Sequence, residues 1–379
     1  MPDTMIAARK VSTEKGFIIE RVPIPAVAPD EVLVAVEAAS VCGTDLHIWN
    51  WDEWARNRVK LPLTVGHELA GTIVEVGSDV RHAAVGDYVS AESHVTCGMC
   101  FQCRTGQAHM CPRTNILGVD RDGAFAEFIS LPEKVIWQND RDKLPSEIAT
   151  LQEPFGNAVF ATLAHELAGQ SVGVLGCGPV GLFSIGIAKA SGAARVMAVD
   201  LNDYRLDLAK LMGADDVFNE GGDSNRGDSA EWFVSTNEGF GVDIILEMSG
   251  APSAIGSAFR GVRNGGRVTL FGIPSDPVRI DVAESMIFKN LTVLALNGRR
   301  IFDTWYKTRW LLESSVVDLR PLITNEIALE NIEDAMMLLS TGNACKIVLR
   351  PSWGTEHAQK SAGDSEEPDP NVRGQVAHP

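Results

Sequence analysis

Residues 171–181 read Ser-Val-Gly-Val-Leu-Gly-Cys-Gly-Pro-Val-Gly, and the fold of the chain turns on them. An apolar strand over 171–175 runs into Gly176, Gly178 and Gly181, spaced as G-x-G-x-x-G, and then into an apolar helical pattern over 180–191. In a strand-turn-helix unit the first glycine serves a tight turn. The second lets a pyrophosphate approach the backbone, and the third lets helix and strand pack closely. Pro179 and Val180 open the helix, whose free N–H groups and positive dipole end favour phosphate. The next strand, 195–199, leads to Asp200. A carboxylate at about this separation grips the ribose hydroxyls of NAD and repels the extra phosphate of NADP, so NAD is the expected cofactor. Arg205 is placed to stack on adenine or touch ribose, and reads equally well as a solvated residue of a first helical turn. Cys177 reads as a small filler of the loop.

The alternation continues outward from this unit. A helix over 204–212 and a strand over 216–218 complete one βαβαβ half. Strand 242–247, helix 253–262 and strands 267–271 and 291–296 form the second. Six strands in this order predict a doubly wound parallel sheet, a Rossmann domain over 161–296. Upstream, residues 1–160 carry short β-branched strands at 31–37, 71–76 and 87–91 between Gly, Pro and Asp, the pattern of a compact β-rich domain. Downstream, helices 302–312 and 332–339 and strand 346–349 offer too little apolar surface for a third domain. Residues 297–350 are therefore expected to complete the first. The tail 351–379 is polar and acidic and cannot offset its ordering entropy, so disorder is expected there. The segment GGDSNRGDS before Trp232 reads as a flexible surface loop.

A chain of 379 residues with 45% hydrophobic and 22% charged residues suits two cored globular domains. Its net charge of −17 repels phosphate backbones and anionic lipid, which argues against nucleic-acid and membrane partners. The N-terminal MPDTMIAARK lacks a secretory apolar run and no later stretch is long and apolar enough to span a bilayer. A cytoplasmic location is expected.

Four of the seven cysteines, Cys97, Cys100, Cys103 and Cys111, form C-x2-C-x2-C-x7-C. Four soft ligands this close wrap one tetrahedral zinc and leave no open position, so that ion shapes a loop; an iron–sulfur cluster is the chemical competitor. A second set is dispersed: Cys42, His67, Glu68 and Glu153. A catalytic zinc needs about three protein ligands and one position open to substrate, and these residues supply suitable donors.

The segments Cys42-Gly43-Thr44-Asp45-Leu46-His47 and Gly66-His67-Glu68, with the four-cysteine lobe and the glycine loop, resemble the zinc-containing medium-chain dehydrogenases, over about residues 5–350. Residues 49–54 (WNWDEW), 153–159 (EPFGNAV), 247–252 (EMSGAP) and 303–307 (DTWYK) narrow the resemblance to members acting on L-threonine. The resemblance implies a GroES-like catalytic domain and a catalytic zinc held by Cys42, His67 and Glu68. Thr44 and His47 would relay the substrate proton through a cofactor ribose hydroxyl, and Glu153 would enter or leave the metal shell. The sequence does not rank Glu68 against Glu153. Val180, Asp200, Arg205, Phe271, Gly272, Ile273, Leu296 and Asn297 would surround NAD. Homotetramers are common in the family, and an edge strand near Leu291 would pair across a twofold axis. Phe160 stands where relatives commonly carry histidine, and Asn297 where an aromatic is often found.

The expected reaction is hydride transfer from the C3 carbon of L-threonine to NAD, giving 2-amino-3-oxobutanoate, with two zinc ions per chain. Arg299 is a candidate for the substrate carboxylate, because a guanidinium matches it with two parallel hydrogen bonds, and reads equally as a surface or subunit-contact residue. Asp52 or Glu53 would meet the ammonium or remain solvated. The rivals are a polyol, sugar or 2,3-butanediol dehydrogenase with the same machinery, and a noncatalytic protein that binds NAD and zinc as a sensor or scaffold. A nucleic-acid zinc ribbon is disfavoured by the acidity and the absence of a basic stripe.

Overall fold

The computed structural model describes residues 2–222 and 227–352. Most of the expected disordered tail, and residues 223–226 of the expected loop, lie outside the described residues. The six-stranded sheet is parallel throughout, in the order Asp216–Asn219, Arg195–Asp200, Ser171–Leu175, Val242–Glu247, Val262–Leu270, Thr292–Ala295. The chain direction across the sheet reverses between Ser171–Leu175 and Val242–Glu247, which opens a crevice at their carboxyl ends.

The near-continuous apolar runs of these strands follow from burial on both faces. Val196, Ala198, Ile244 and Leu246 pack with Leu182, Phe183 and Ile187 of helix Pro179–Ala190 and with Leu206 of helix Asp203–Leu211. Their neighbours Met197, Val199 and Ile245 point the other way, onto Phe233, Ile255 and Phe259. Phe233 belongs to helix Ser229–Thr236, which the reading of a loop before Trp232 did not include; its N-cap Asp228 accepts from the Glu231 backbone N–H at 3.0 Å. Five positions separate Val262 from Arg267, yet their partners Val242 and Ile244 are only two apart. The strand therefore begins at Val262, where a helix end was expected.

The other large sheet runs Ile136–Gln138, Tyr88–Ala91, Leu69–Val76, Glu31–Ser40, Lys346–Arg350, Ile323–Ala328, and Phe128–Pro132 also pairs with Glu31–Ser40. Val348 opposes Ser40 and Leu349 opposes Ala39. Ile347 and Leu349 share a core with Val34, Ile73 and with Ile332 and Met336 of helix Ile332–Ser340. Burial of these apolar groups draws the C-terminal segment onto the N-terminal sheet. Among the described residues no helix is long and apolar enough to cross a membrane.

Candidate active site

Register brings the dispersed residues together. Ala39 pairs with Leu69 across two antiparallel strands, so Cys42, just past one strand, meets His67 and Glu68, just before the other. Gly66 makes the turn at φ +90°, and a Cβ there would lie 2.2 Å from the Phe125 ring. Cys42 caps helix Gly43–Asn50, and its N–H donates to Asp45 Oδ2 at 2.9 Å.

The donor atoms of Cys42, His67 and Glu68 lie within 4.8 Å of one another, a spread that one zinc ion with bonds of roughly 2.0–2.3 Å draws together. Glu68 is fully buried; its Oε2 accepts from Lys346 Nζ at 2.5 Å and from Ser40 Oγ, whereas Oε1 has no hydrogen-bond partner among the described residues. His67 Nδ1 also lacks one, its nearest acid being Asp45 Oδ1 at 3.7 Å. His67 Nδ1 and the equally unpartnered Asp45 Oδ1 face one another, whereas leaving Glu68 Oε1 unpaired costs roughly 1–3 kcal/mol, which a cation at this point removes. Charge points the same way. Burial opposes protonation of His67, yet Asp45, Cys42 and Glu153 hold its imidazole well above the ordinary range. Burial pushes the Asp45 carboxyl up to about 6, against the pull of His67. The donor set fits zinc.

Glu153, in the first turn of helix Gln152–Thr162, faces a different partner. Its Oε1 accepts from Ser93 Oγ at 2.6 Å and pairs with Arg299 Nη2 at 2.6 Å. Arg299 is 1% exposed and donates to Glu92 Oε2 at 2.8 Å, Asn157 Oδ1 at 3.2 Å and Ser93 Oγ at 2.9 Å. This departs from both expectations for Arg299. It is neither a surface residue nor free to meet a substrate carboxylate, because two buried carboxylates already take its charge. Gly156 makes room for it: a Cβ there would sit 2.8 Å from Arg299 Cδ. Glu92 also accepts from Trp305 Nε1 at 2.8 Å and pairs with His94 Nδ1 at 2.9 Å. The sequence reading missed Glu92, His94 and Lys346, whose charges in apolar strand ends were the available signal.

In the cysteine lobe the sulfur separations are 3.5 Å for Cys97–Cys111, 3.5 Å for Cys100–Cys103, 3.7 Å for Cys100–Cys111 and 4.0 Å for Cys97–Cys103. A tetrahedron with metal–sulfur bonds of about 2.3 Å has edges of about 3.8 Å, whereas a disulfide bond is about 2.05 Å. Arg113 Nη2 donates to Cys97 Sγ at 3.2 Å. Backbone N–H groups of Met99 and Cys100 bring the Cys97 thiol down to about 6, toward the thiolate a metal requires.

At the glycine loop, Gly176 has φ +92°, and a Cβ on Gly181 would lie 1.9 Å from Gly176 O, while one on Gly178 would meet nothing within 4 Å. The loop thus leaves open space beside the N-terminus of the helix that Pro179 and Val180 begin. Asp200 sits directly against it, accepting from Cys177 N at 2.7 Å and Asn202 N at 3.0 Å, with Arg205 Nη1 3.9 Å away. Phe271, Gly272 and Ile273 follow the carboxyl end of Val262–Leu270, and Leu296 and Asn297 follow that of Thr292–Ala295. A cavity of about 740 Å³ joins the two sides: Thr44, His47, Asp52 and Glu53 line it opposite Ile273 and Ser275. Phe160 lines a second cavity with Leu296 and Arg300, edge-on to His109 at 5.6 Å with Arg300 5.9 Å from its ring.

Residues 28–141 match the alcohol dehydrogenase GroES-like domain, and residues 179–314 match the zinc-binding dehydrogenase family. The chain belongs to the zinc-binding alcohol dehydrogenases. It is 47% identical to the L-threonine 3-dehydrogenase of Symbiobacterium thermophilum, over 93% of this chain and 99% of that one. Among solved structures, a Sinorhizobium meliloti 1021 chain bound to NADP superimposes with a TM-score of 0.84 at 27% identity, covering 92% of this chain and 100% of that one. The 2R,3R-butanediol dehydrogenase of Bacillus subtilis gives 0.83 at 28% identity, with coverage of 92% and 100%.

Proposed function

We propose that this chain oxidises the C3 hydroxyl of L-threonine with NAD as hydride acceptor, giving 2-amino-3-oxobutanoate in threonine catabolism. The observation that carries the reading is the clustering of Cys42, His67 and Glu68, with Glu68 Oε1 unpartnered among the described residues, in a chain 47% identical to an L-threonine 3-dehydrogenase along almost its whole length. In this reading Cys42, His67 and Glu68 hold a catalytic zinc, and Cys97, Cys100, Cys103 and Cys111 a structural one, two ions per chain. When bound, zinc supplies a Lewis acid that lowers the pKa of the substrate hydroxyl, and NAD supplies the hydride acceptor.

The chain's own groups do the rest. Thr44 and His47 carry the hydroxyl proton toward solvent, since a short chain of donors serves where no single base reaches both ends. Glu153, paired with Arg299, acts electrostatically on His67 and steadies positive charge at the metal centre. Asp52 is committed to His47 and to a helix cap, which leaves Glu53 for the substrate ammonium. Gly176, Gly178, Pro179, Val180 and Gly181 receive the pyrophosphate. Asp200 takes the adenosine ribose, which favours NAD over NADP, with Arg205, Phe271, Gly272, Ile273, Leu296 and Asn297 around the remainder. Residues 1–160 with 297–350 form the catalytic unit and 161–296 the cofactor unit. A cytoplasmic homotetramer completes the proposal. It is supported by the edge strand Thr292–Ala295 beside the exposed Ile287 and Phe288, apolar surface of the kind that marks interfaces.

One NADH absorbance assay comparing threonine, sorbitol, glucose and 2,3-butanediol, with metal analysis of the same preparation, tests this. Selective threonine oxidation with two zinc ions per chain is expected. Preference for 2,3-butanediol would overturn the substrate in favour of the diol reading, which the fold likeness to the Bacillus subtilis enzyme supports.

A further inference from the structure

His47 Nδ1 lies 2.5 Å from Asp52 Oδ2. The two are not helical neighbours. Trp51 ends helix Gly43–Asn50 in the left-handed region, at φ 54° and ψ 48°, a conformation that costs a bulky residue on the order of 1–3 kcal/mol. That reversal carries Asp52 back over the last helical turn, where its own N–H donates to His47 O at 3.3 Å. The Trp51 ring is held in place beneath Lys10 Nζ, 5.5 Å from its centroid, and against the core. Asp52 is fixed from the other side too: Oδ1 accepts from Ala55 N at 3.0 Å, capping helix Glu53–Arg58. The Trp54 ring, 6.0 Å away and tilted by 59°, limits the swing of the imidazole.

We propose that Asp52 is a positioning residue for the proton path, holding His47 in the Nδ1–H tautomer so that Nε2 is free to accept the substrate proton. The proposal rests on the dehydrogenase reading above. Oδ1 is occupied by the cap, so Oδ2 is the oxygen left for the imidazole, and an ionised carboxylate accepts only. Burial raises the Asp52 carboxyl, but the Ala55 N–H and His47 outweigh it and hold it below the ordinary range, so the acceptor is ionised at neutral pH. A proton arriving at Nε2 makes an imidazolium whose Nδ1–H stays on Asp52. Release from Nε2 to solvent restores the starting state.

Two substitutions separate positioning from capping. Asp52→Asn keeps an oxygen for Ala55 N, and asparagine caps as well as aspartate. Its NH2 group then faces Nδ1, which becomes an acceptor, so the proton moves to Nε2 and the path is blocked. Asp52→Ala loses the cap but leaves the imidazole free to sample both tautomers. The expected order of kcat is therefore wild type, then Asp52→Ala, then Asp52→Asn, with the last down at least about tenfold, below the roughly 10²–10⁴-fold that a positioned proton-transfer group supplies, and KM for threonine unchanged. A capping role alone predicts the reverse order of the two variants. The second readout is independent of substrate: ¹⁵N shifts of labelled, zinc-loaded enzyme, with His47→Gln used for assignment, should show Nδ1–H in the wild type and Nε2–H in Asp52→Asn. An Nε2–H wild type, or Asp52→Asn turning over as fast as Asp52→Ala, overturns the proposal. A wild type that leaves threonine untouched but oxidises another alcohol sinks the threonine reading alone, and the kcat order is then read with that alcohol.

Discussion

Lys346 Nζ donates to Glu68 Oε2 at 2.5 Å although 278 positions separate the two in the chain. Lys346 Nζ also donates to Val41 O at 2.8 Å, one residue before Cys42. One buried ammonium therefore braces two of the three groups around the metal position. It reaches them because strand Lys346–Arg350 lies beside Glu31–Ser40.

Lys346→Met is expected to weaken zinc at this site by about 10–100-fold, the usual cost of removing a partner behind a metal ligand. It should also destabilise the metal-free protein by about 3–5 kcal/mol, because Glu68 becomes an unpaired buried charge. Chelator competition and thermal melts with and without zinc check this. A variant with wild-type zinc affinity would show that Glu68 needs no brace.

Cys97→Ser opens the four-sulfur tetrahedron at the corner supported by Arg113. One zinc per chain should be lost, and the remaining three thiols should become reactive toward a thiol reagent in the folded protein. Metal content and thiol titration before and after denaturation report both. Retention of full metal content would contradict a closed four-cysteine site.

Acid stability should depend on Glu92. Burial works against its carboxylate, yet Arg299, with His94 and Trp305, brings it down to about 2 from the usual 4.5. A folded-state value below the unfolded one stabilises above pH 4.5 and loses that contribution as pH falls through 4.5 toward 2. The effect is on the order of 3 kcal/mol. Glu92→Gln should lower stability at pH 7 and flatten its decline across that window, measured by denaturant titration at each pH. A decline as steep as that of the wild type would assign the acid transition to other carboxylates.

Gly181→Ala should cut NADH affinity at least tenfold, since the added Cβ would fall 1.9 Å from Gly176 O and the loop must open to admit it. Gly178→Ala meets no atom within 4 Å and should fold normally while losing affinity through contact with the pyrophosphate. NADH fluorescence and melting temperature separate the two. Equal melting temperatures for both variants would refute the packing role of Gly181.

The sequence by itself determined the parallel sheet, because runs such as Ser171–Leu175 and Val242–Glu247 alternate with helical patterns at short range. It also determined the four-cysteine lobe, whose ligands lie within fifteen residues. Local spacing carries that information directly. Helix Ser229–Thr236 escaped because its polar flank hid a cap at Asp228 and a buried Phe233. Only the tertiary structure decided what surrounds the reactive groups. Burial makes Lys346 and Arg299 choose carboxylate partners, and those partners come from strands and helices distant in sequence. Glu68 keeps one oxygen free beside Cys42 and His67, whereas Glu153 is drawn to Arg299, a distinction that residue types alone cannot make. In a low-dielectric interior every charge must find a counter-charge, and which one it finds is set by strand register and packing.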